Sequence, residues 1–143
     1  MTTAVESDAS IVEKAKKLAD NFAGQPLNIV GKLSLRAVCV DRVSGKLIHD
    51  IELLTAESPD PVHQLNSFAS PSPTLEDGRL YAHFGTNGTA CLDTKTQKIL
   101  WTNRELKLKH ENGPGSTPVL WGNLLIVPCD GSDTACLAAL NKL

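Results

Sequence analysis

One short pattern occurs twice without a gap, and it confines the chain to a repeat architecture. Val38-Cys39-Val40-Asp41-Arg42-Val43-Ser44-Gly45-Lys46-Leu47-Ile48-His49 lines up with Ala90-Cys91-Leu92-Asp93-Thr94-Lys95-Thr96-Gln97-Lys98-Ile99-Leu100-Trp101. Cysteine, aspartate, Ser/Thr and lysine fall at matching places. Asp41 and Asp93 each open a turn, in which Gly45 is free to take a positive φ. Around the second copy, residues 72–102 read as four short strands in succession. Asp77-Gly78 closes the first hairpin, Gly85-Thr86-Asn87-Gly88 the second, and Thr94-Lys95-Thr96-Gln97 the third. β-rich runs with turn residues at regular spacing predict an antiparallel meander. One such sheet cannot bury both of its faces alone, so it belongs to an array.

The unit restarts downstream. Thr117-Pro118-Val119-Leu120-Trp121-Gly122-Asn123-Leu124-Leu125 repeats its opening, and Ala139-Leu140-Asn141 parallels Cys91-Leu92-Asp93. This gives the end of one unit over residues 33–54, a complete unit over 72–102, and most of a third over 117–143. Self-similarity of this kind is the signature of a β-propeller, whose blades are four-stranded sheets. The expected fold class is therefore all-β: a partial propeller of two to three four-stranded antiparallel blades with a short N-terminal α-helix. Residues 1–30 form the helix and tail, and residues 31–143 the blades.

The blade-closing segment resembles the quinoprotein-type propeller repeat, Ala-x-Asp-x-x-Thr-Gly-x-x-x-Trp. That repeat occurs in pyrroloquinoline quinone (PQQ) dehydrogenases and in many propellers that bind no quinone. Asp93, Thr96 and Trp101 match it, with Cys91 in place of Ala and Gln97 in place of Gly. In the earlier copy Asp41 and Gly45 match, Ser44 replaces Thr, and His49 replaces Trp; Asn141 holds the aspartate position of the third unit. Residues 63–73 and 83–88 are also similar to a bacterial subgroup of PQQ-like propeller proteins. The resemblance spans residues 37–141 and implies that Trp101 docks against a neighbouring blade while the aspartates serve the repeat turn.

A PQQ dehydrogenase needs an aspartate base, a calcium held by carboxylate and amide oxygens, an aromatic floor under the quinone, and often a Cys-Cys pair. This chain has no adjacent cysteines, and only 4% of its residues are aromatic. No residue carries over as a quinone or calcium ligand. The function expected is a non-catalytic scaffold or binding module without a cofactor. The rival is a piece of an oxidoreductase that uses PQQ with calcium. A third reading, a lipoprotein propeller of outer-membrane assembly, needs an export signal and a lipidated cysteine near the start. Family members are often exported, yet Met1-Thr2-Thr3-Ala4-Val5-Glu6-Ser7-Asp8 is acidic, with neither an apolar h-region nor a cysteine.

At 143 residues the chain is one domain by length. A propeller, however, needs about four blades to close. The expectation is a piece of a longer propeller, with assembly from several copies as the other route. Its partners would be further blades and a protein or small-molecule ligand at the loops. A net charge of −2 offers no basic footprint for nucleic acid. No apolar run approaches the roughly 20 residues of a membrane span.

Residues 55–71 form the longest irregular stretch, where Pro59, Pro61 and Pro71 deny ladder hydrogen bonds. Its His63, Gln64, Asn66 and Ser67 suit either a binding rim or a crossover that satisfies its own backbone. Residues 103–116 form a second loop of alternating charge. Its Gly113-Pro114-Gly115 is a turn device, because the spacing of phosphate loops is missing. If both loops share an end face, His63, His83 and His110 could meet and, with a carboxylate, hold a divalent metal. His49 reads as a packed substitute for tryptophan. No G-x-S-x-G elbow is present.

Cys39, Cys91, Cys129 and Cys136 show no CxxC spacing. Cys39 and Cys91 lie one blade apart. Packed sheets are about 10 Å apart and a disulfide needs Cα atoms within about 7 Å, so no bond is expected between them. Cys129 and Cys136 can face each other across a hairpin; for all four, small buried residues is the alternative reading. At the start, Ser10-Ile11-Val12-Glu13 has the capping-box pattern. Ile11, Ala15, Leu18, Ala19 and Phe22 then predict an amphipathic helix over residues 11–22, ended by Gly24 and Pro26. Such a helix either covers an open sheet edge or forms a tail.

Overall fold

A computed structural model describes residues 2–5, Ile11, Glu13 and 25–143. The strands, in chain order, are β1 (Thr2–Val5), β2 (Leu27–Asn28), β3 (Lys32–Val40), β4 (Leu47–Glu57), β5 (Val62–His63) and β6 (Thr74–Glu76). After them come β7 (Arg79–His83), β8 (Thr89–Asp93), β9 (Ile99–Asn103), β10 (Val119–Trp121), β11 (Leu124–Asp130) and β12 (Ala135–Asn141). The chain is all-β, built from several small antiparallel sheets. The helix expected over residues 11–22 falls almost wholly outside the described residues; Ile11 and Glu13 have helical backbone, and the rest is not described.

The complete unit forms a four-stranded sheet in the order β6-β7-β8-β9. Pro73 has no N–H to give a ladder, and the first strand begins just after it at Thr74. Asp77 (φ 49°) and Gly78 (φ 76°) both take positive φ, the requirement of the tight hairpin turn that matches strand twist. A turn of 3-10 helix at Gly85–Asn87 joins β7 to β8. The earlier unit pairs β1-β3-β4 and the later one β10-β11-β12.

The two matched segments share one geometry. Cys39 pairs with His49 across β3–β4, and Cys91 pairs with Trp101 across β8–β9. Each ladder shifts register immediately after its cysteine. Asp41 Oδ1 accepts from the amides of Val43 (3.1 Å) and Ser44 (2.7 Å). Asp93 Oδ1 accepts from Lys95 (2.8 Å) and Thr96 (2.7 Å). Those bonds to the ionised form hold both carboxyls below the usual carboxylate range. Asn141 Oδ1 accepts in the same way from the amide of Leu143 at 3.1 Å.

Period-two alternation sends each strand of the central sheet to two different cores. Ala82, Ala90 and Leu92 pack with Leu33, Leu35, Leu53 and Leu54 of the β3–β4 sheet. Tyr81 and Cys91 pack with Leu125 and Val127 of the β11 sheet. The central sheet is thus buried on both faces, between two neighbours. Phe68, Val62 and Phe84 extend the first core into the loops. At the second, the Trp101 and Tyr81 rings meet at 6.1 Å. Arg79 Nη1 (3.4 Å), Tyr81 Oη (3.3 Å) and Trp101 Nε1 (3.4 Å) all donate to the carbonyl of Lys142, whose ammonium pairs with Glu76. Trp101 therefore reaches across to the adjacent sheet.

The two outer faces differ in chemistry. On the β3–β4 sheet, Lys32 pairs with Glu57 (3.0 Å) and Arg36 with Asp50 (2.6 Å) and Glu52 (3.6 Å). On the β10–β12 sheet, the face turned away from the centre shows Val119 (59% exposed), Trp121 (72%) and Leu137 (73%) beside Ile126 and Ala139.

Candidate functional site

Antiparallel alternation sorts the connections by end. The Asp turns and the short hairpin turns at Gly78 and Gly122 collect at one end of the sheets. Residues 58–73, 84–88, 104–118 and 131–134 collect at the other. Both long loops thus share an end face, and they interlock there. The amide of His63 donates to the carbonyl of Asn112 (3.2 Å). Lys107 Nζ donates to the Thr86 carbonyl (3.2 Å) and the Leu108 amide to Thr86 Oγ1 (3.4 Å). Lys109 is gripped by the β11–β12 loop: its amide donates to Asp133 Oδ1 (2.9 Å), and its carbonyl accepts from the Ser132 amide (2.8 Å) and hydroxyl (3.1 Å).

Of the four candidate rim residues, Asn66 and Ser67 turn inward on the protein's own backbone. Asn66 Nδ2 donates to the carbonyls of Asn112 (2.8 Å) and Pro114 (3.3 Å). Its Oδ1 accepts from the Ser67 amide (2.8 Å) and from the Ser70 hydroxyl. Ser67 Oγ accepts from the Ala69 amide (3.2 Å). His63 Nδ1 accepts from the Leu65 amide (3.2 Å). Gln64 is exposed, and its amide donates to the Pro26 carbonyl (2.9 Å) where β5 meets β2. The Asn66 side chain fastens one loop to the other, while those of His63 and Ser67 satisfy amides of their own loop.

His83 and His110 come together at the centre of this end. His83 is 3% exposed and shares a 2.9 Å hydrogen bond between its Nδ1 and Thr89 Oγ1. Burial, with the nearby His110, lowers its pKa from 6.5 to about 4, so this ring is neutral near pH 7. His110 is pushed down as well by burial, against the pull of Asp133, Asp130 and Asp60. Its Nε2 is buried without a hydrogen-bond partner among the described residues. Gly85 lets the loop of His110 lie against its backbone: at φ 59° a Cβ there would sit 2.5 Å from His110 Nε2. His63 is not one of the groups that perturb either ring. Among the described residues, no group of three or more His, Cys, Asp or Glu stands close enough to hold a metal ion.

Of the repeat residues, Gly45 takes φ 70° and donates its amide to the Asp41 carbonyl (2.8 Å); Asp41, Asp93 and Thr96 serve their turns, Asn141 accepts from its local backbone, and Trp101 makes a sheet contact. His49 is half-buried opposite Cys39. Cys91 and Cys129 are buried, whereas Cys39 and Cys136 are exposed; the four form no disulfide. No helix among the described residues is long and apolar enough to cross a membrane. The sequence signals did not single out Thr89 or Gly85. Thr89 is the cross-strand partner of His83 in the β7–β8 hairpin, a pairing that register alone sets, whereas the approach of Gly85 to His110 follows from the packing of loops distant in sequence. The chain matches no protein-family model and no curated protein.

Proposed function

We propose that this chain is a run of quinoprotein-type β-propeller blades acting as a non-catalytic scaffold, with binding at its loop-bearing end. The observation that carries the reading is the central sheet buried on both faces between neighbouring sheets. A four-stranded meander stacked between two three-stranded sheets, with Asp turns at one end and long loops at the other, is consistent with part of a blade array. The docking of Trp101 across to Lys142 supports the same reading. The apolar outer face of β10–β12 is where a further sheet would pack.

The histidines support binding or structure rather than catalysis. His83 is sealed, neutral and engaged with Thr89, so no substrate reaches it for proton transfer. The loop carboxylates Asp130 and Asp133 already accept from Ser116 and Lys109 and are committed to holding loops. The decisive test is thermal unfolding with and without PQQ and calcium. The reading predicts an unchanged midpoint. A midpoint that rises and saturates with PQQ in the presence of calcium would replace it with the oxidoreductase reading.

A further inference from the structure

Cys129 and Cys136 are register partners in the β11–β12 ladder, directly opposite each other and on the same face. Opposed residues in an antiparallel ladder have Cα atoms about 4.5–5.5 Å apart. A disulfide spans about 4.4–6.8 Å between Cα atoms. The thiols also interact directly, since Cys136 perturbs Cys129. Their surroundings differ: Cys129 is 1% exposed, while Cys136 faces solvent on the outer strand of its sheet. Cys39 is exposed too, but its cross-strand partner is His49.

We infer that Cys129 and Cys136 are a dithiol pair that closes to a disulfide when the protein meets a small-molecule disulfide. Exposed Cys136, as thiolate, attacks one sulfur of that reagent, breaking its S–S bond and expelling one thiolate. Cys129 then loses its proton and attacks the Cys136 sulfur, breaking the mixed S–S bond and expelling the second thiolate. Two protein thiols are oxidised, the reagent is reduced to two thiols, and the two protons end on those thiols. The bond fastens the hairpin whose loop grips Lys109, next to His110. Oxidation therefore stiffens the loop-bearing end of the molecule.

The test is exposure of the folded chain to oxidised glutathione, an alkylating quench and non-reducing peptide mapping. No Lys or Arg lies between the two cysteines, so cleavage at Asp130 or Asp133 is needed to separate them. The expected result is a Cys129–Cys136 linked peptide with Cys136 free of glutathione, while Cys39 retains its adduct. In Cys129→Ser, Cys136 should hold glutathione as Cys39 does. In Cys136→Ser, Cys129 should stay unmodified within its buried site. Glutathione retained on Cys136 to the same extent as on Cys39 in the wild-type chain overturns the inference. That comparison needs no variant, and it decides the matter even if Cys129→Ser does not fold.

Discussion

His83 shows how one buried side chain ties the molecule to pH. Its pKa lies at about 4 when folded and near 6.5 when unfolded, so between these values the unfolded chain binds more protons. The stabilisation is fully present above pH 6.5 and is lost as pH falls towards 4, by about 3 kcal/mol at roughly 1.4 kcal/mol per unit. Urea unfolding at pH 7 and pH 4.5 checks this, with His83→Gln as the comparison. The variant should lose much of the pH slope, while the titration of His110 and of the carboxylates, common to both proteins, remains. Parallel slopes would contradict the assignment. At this scale the sequence was partly legible. Asp41 and Asp93 announced their turns because an Asx side chain bonds its own local backbone, as Asn141 also does. Gln97 has φ 61°, a left-handed conformation that favours glycine, and the equivalent Gly45 has φ 70°; the repeat alignment, not the residue type, pointed there. His83 and His110 are candidates by residue type alone; the packing of His110 against Gly85 arises between loops and has no local signature.

Among the elements, β6 to β9 were legible almost strand for strand, because each is bounded by a turn with a physical reason to bend. β1 was not. Four residues carry too little periodicity to register, and the strand is defined by its pairing with β3. The β2–β5 ladder, only two residues long on each strand, escaped for the same reason. The exposure of Cys39 and Cys136 was missed because burial depends on what covers a strand, which short-range pattern does not encode. Trp101 is the element-scale probe of the sheet contact. It is half-buried, tilts against Tyr81 and donates across to Lys142. Trp101→Ala should cost about 3 kcal/mol in equilibrium unfolding. A cost below about 0.5 kcal/mol would mean that this contact does not hold the two sheets together. The Asp turns lie at the same end as this contact, so their loss would act on the sheet ends and leave the histidine pair in place.

For the whole molecule, the deciding feature is the difference between its two outer faces. The ion pairs Lys32–Glu57 and Arg36–Asp50 mark the β3–β4 face as one that a dry sheet contact would have to desolvate. The β10–β12 face, with Val119, Trp121 and Leu137 open, is apolar. Those ion pairs, although Val40, Leu47 and Ile48 of the same sheet are exposed, disfavour a dry contact with the apolar face, so copies of this chain should not join head to tail into a ring. They should join through two β10–β12 faces, an isologous contact that closes at two. The repeat made an array legible from sequence; which face remains to be covered became visible only once each side chain was assigned a side. Light scattering over a range of concentration tests this most directly, on the wild-type chain and on Trp121→Lys. The account predicts a discrete dimer that reverts to a monomer in the variant. A strict monomer at every concentration, or an open-ended polymer, would contradict it.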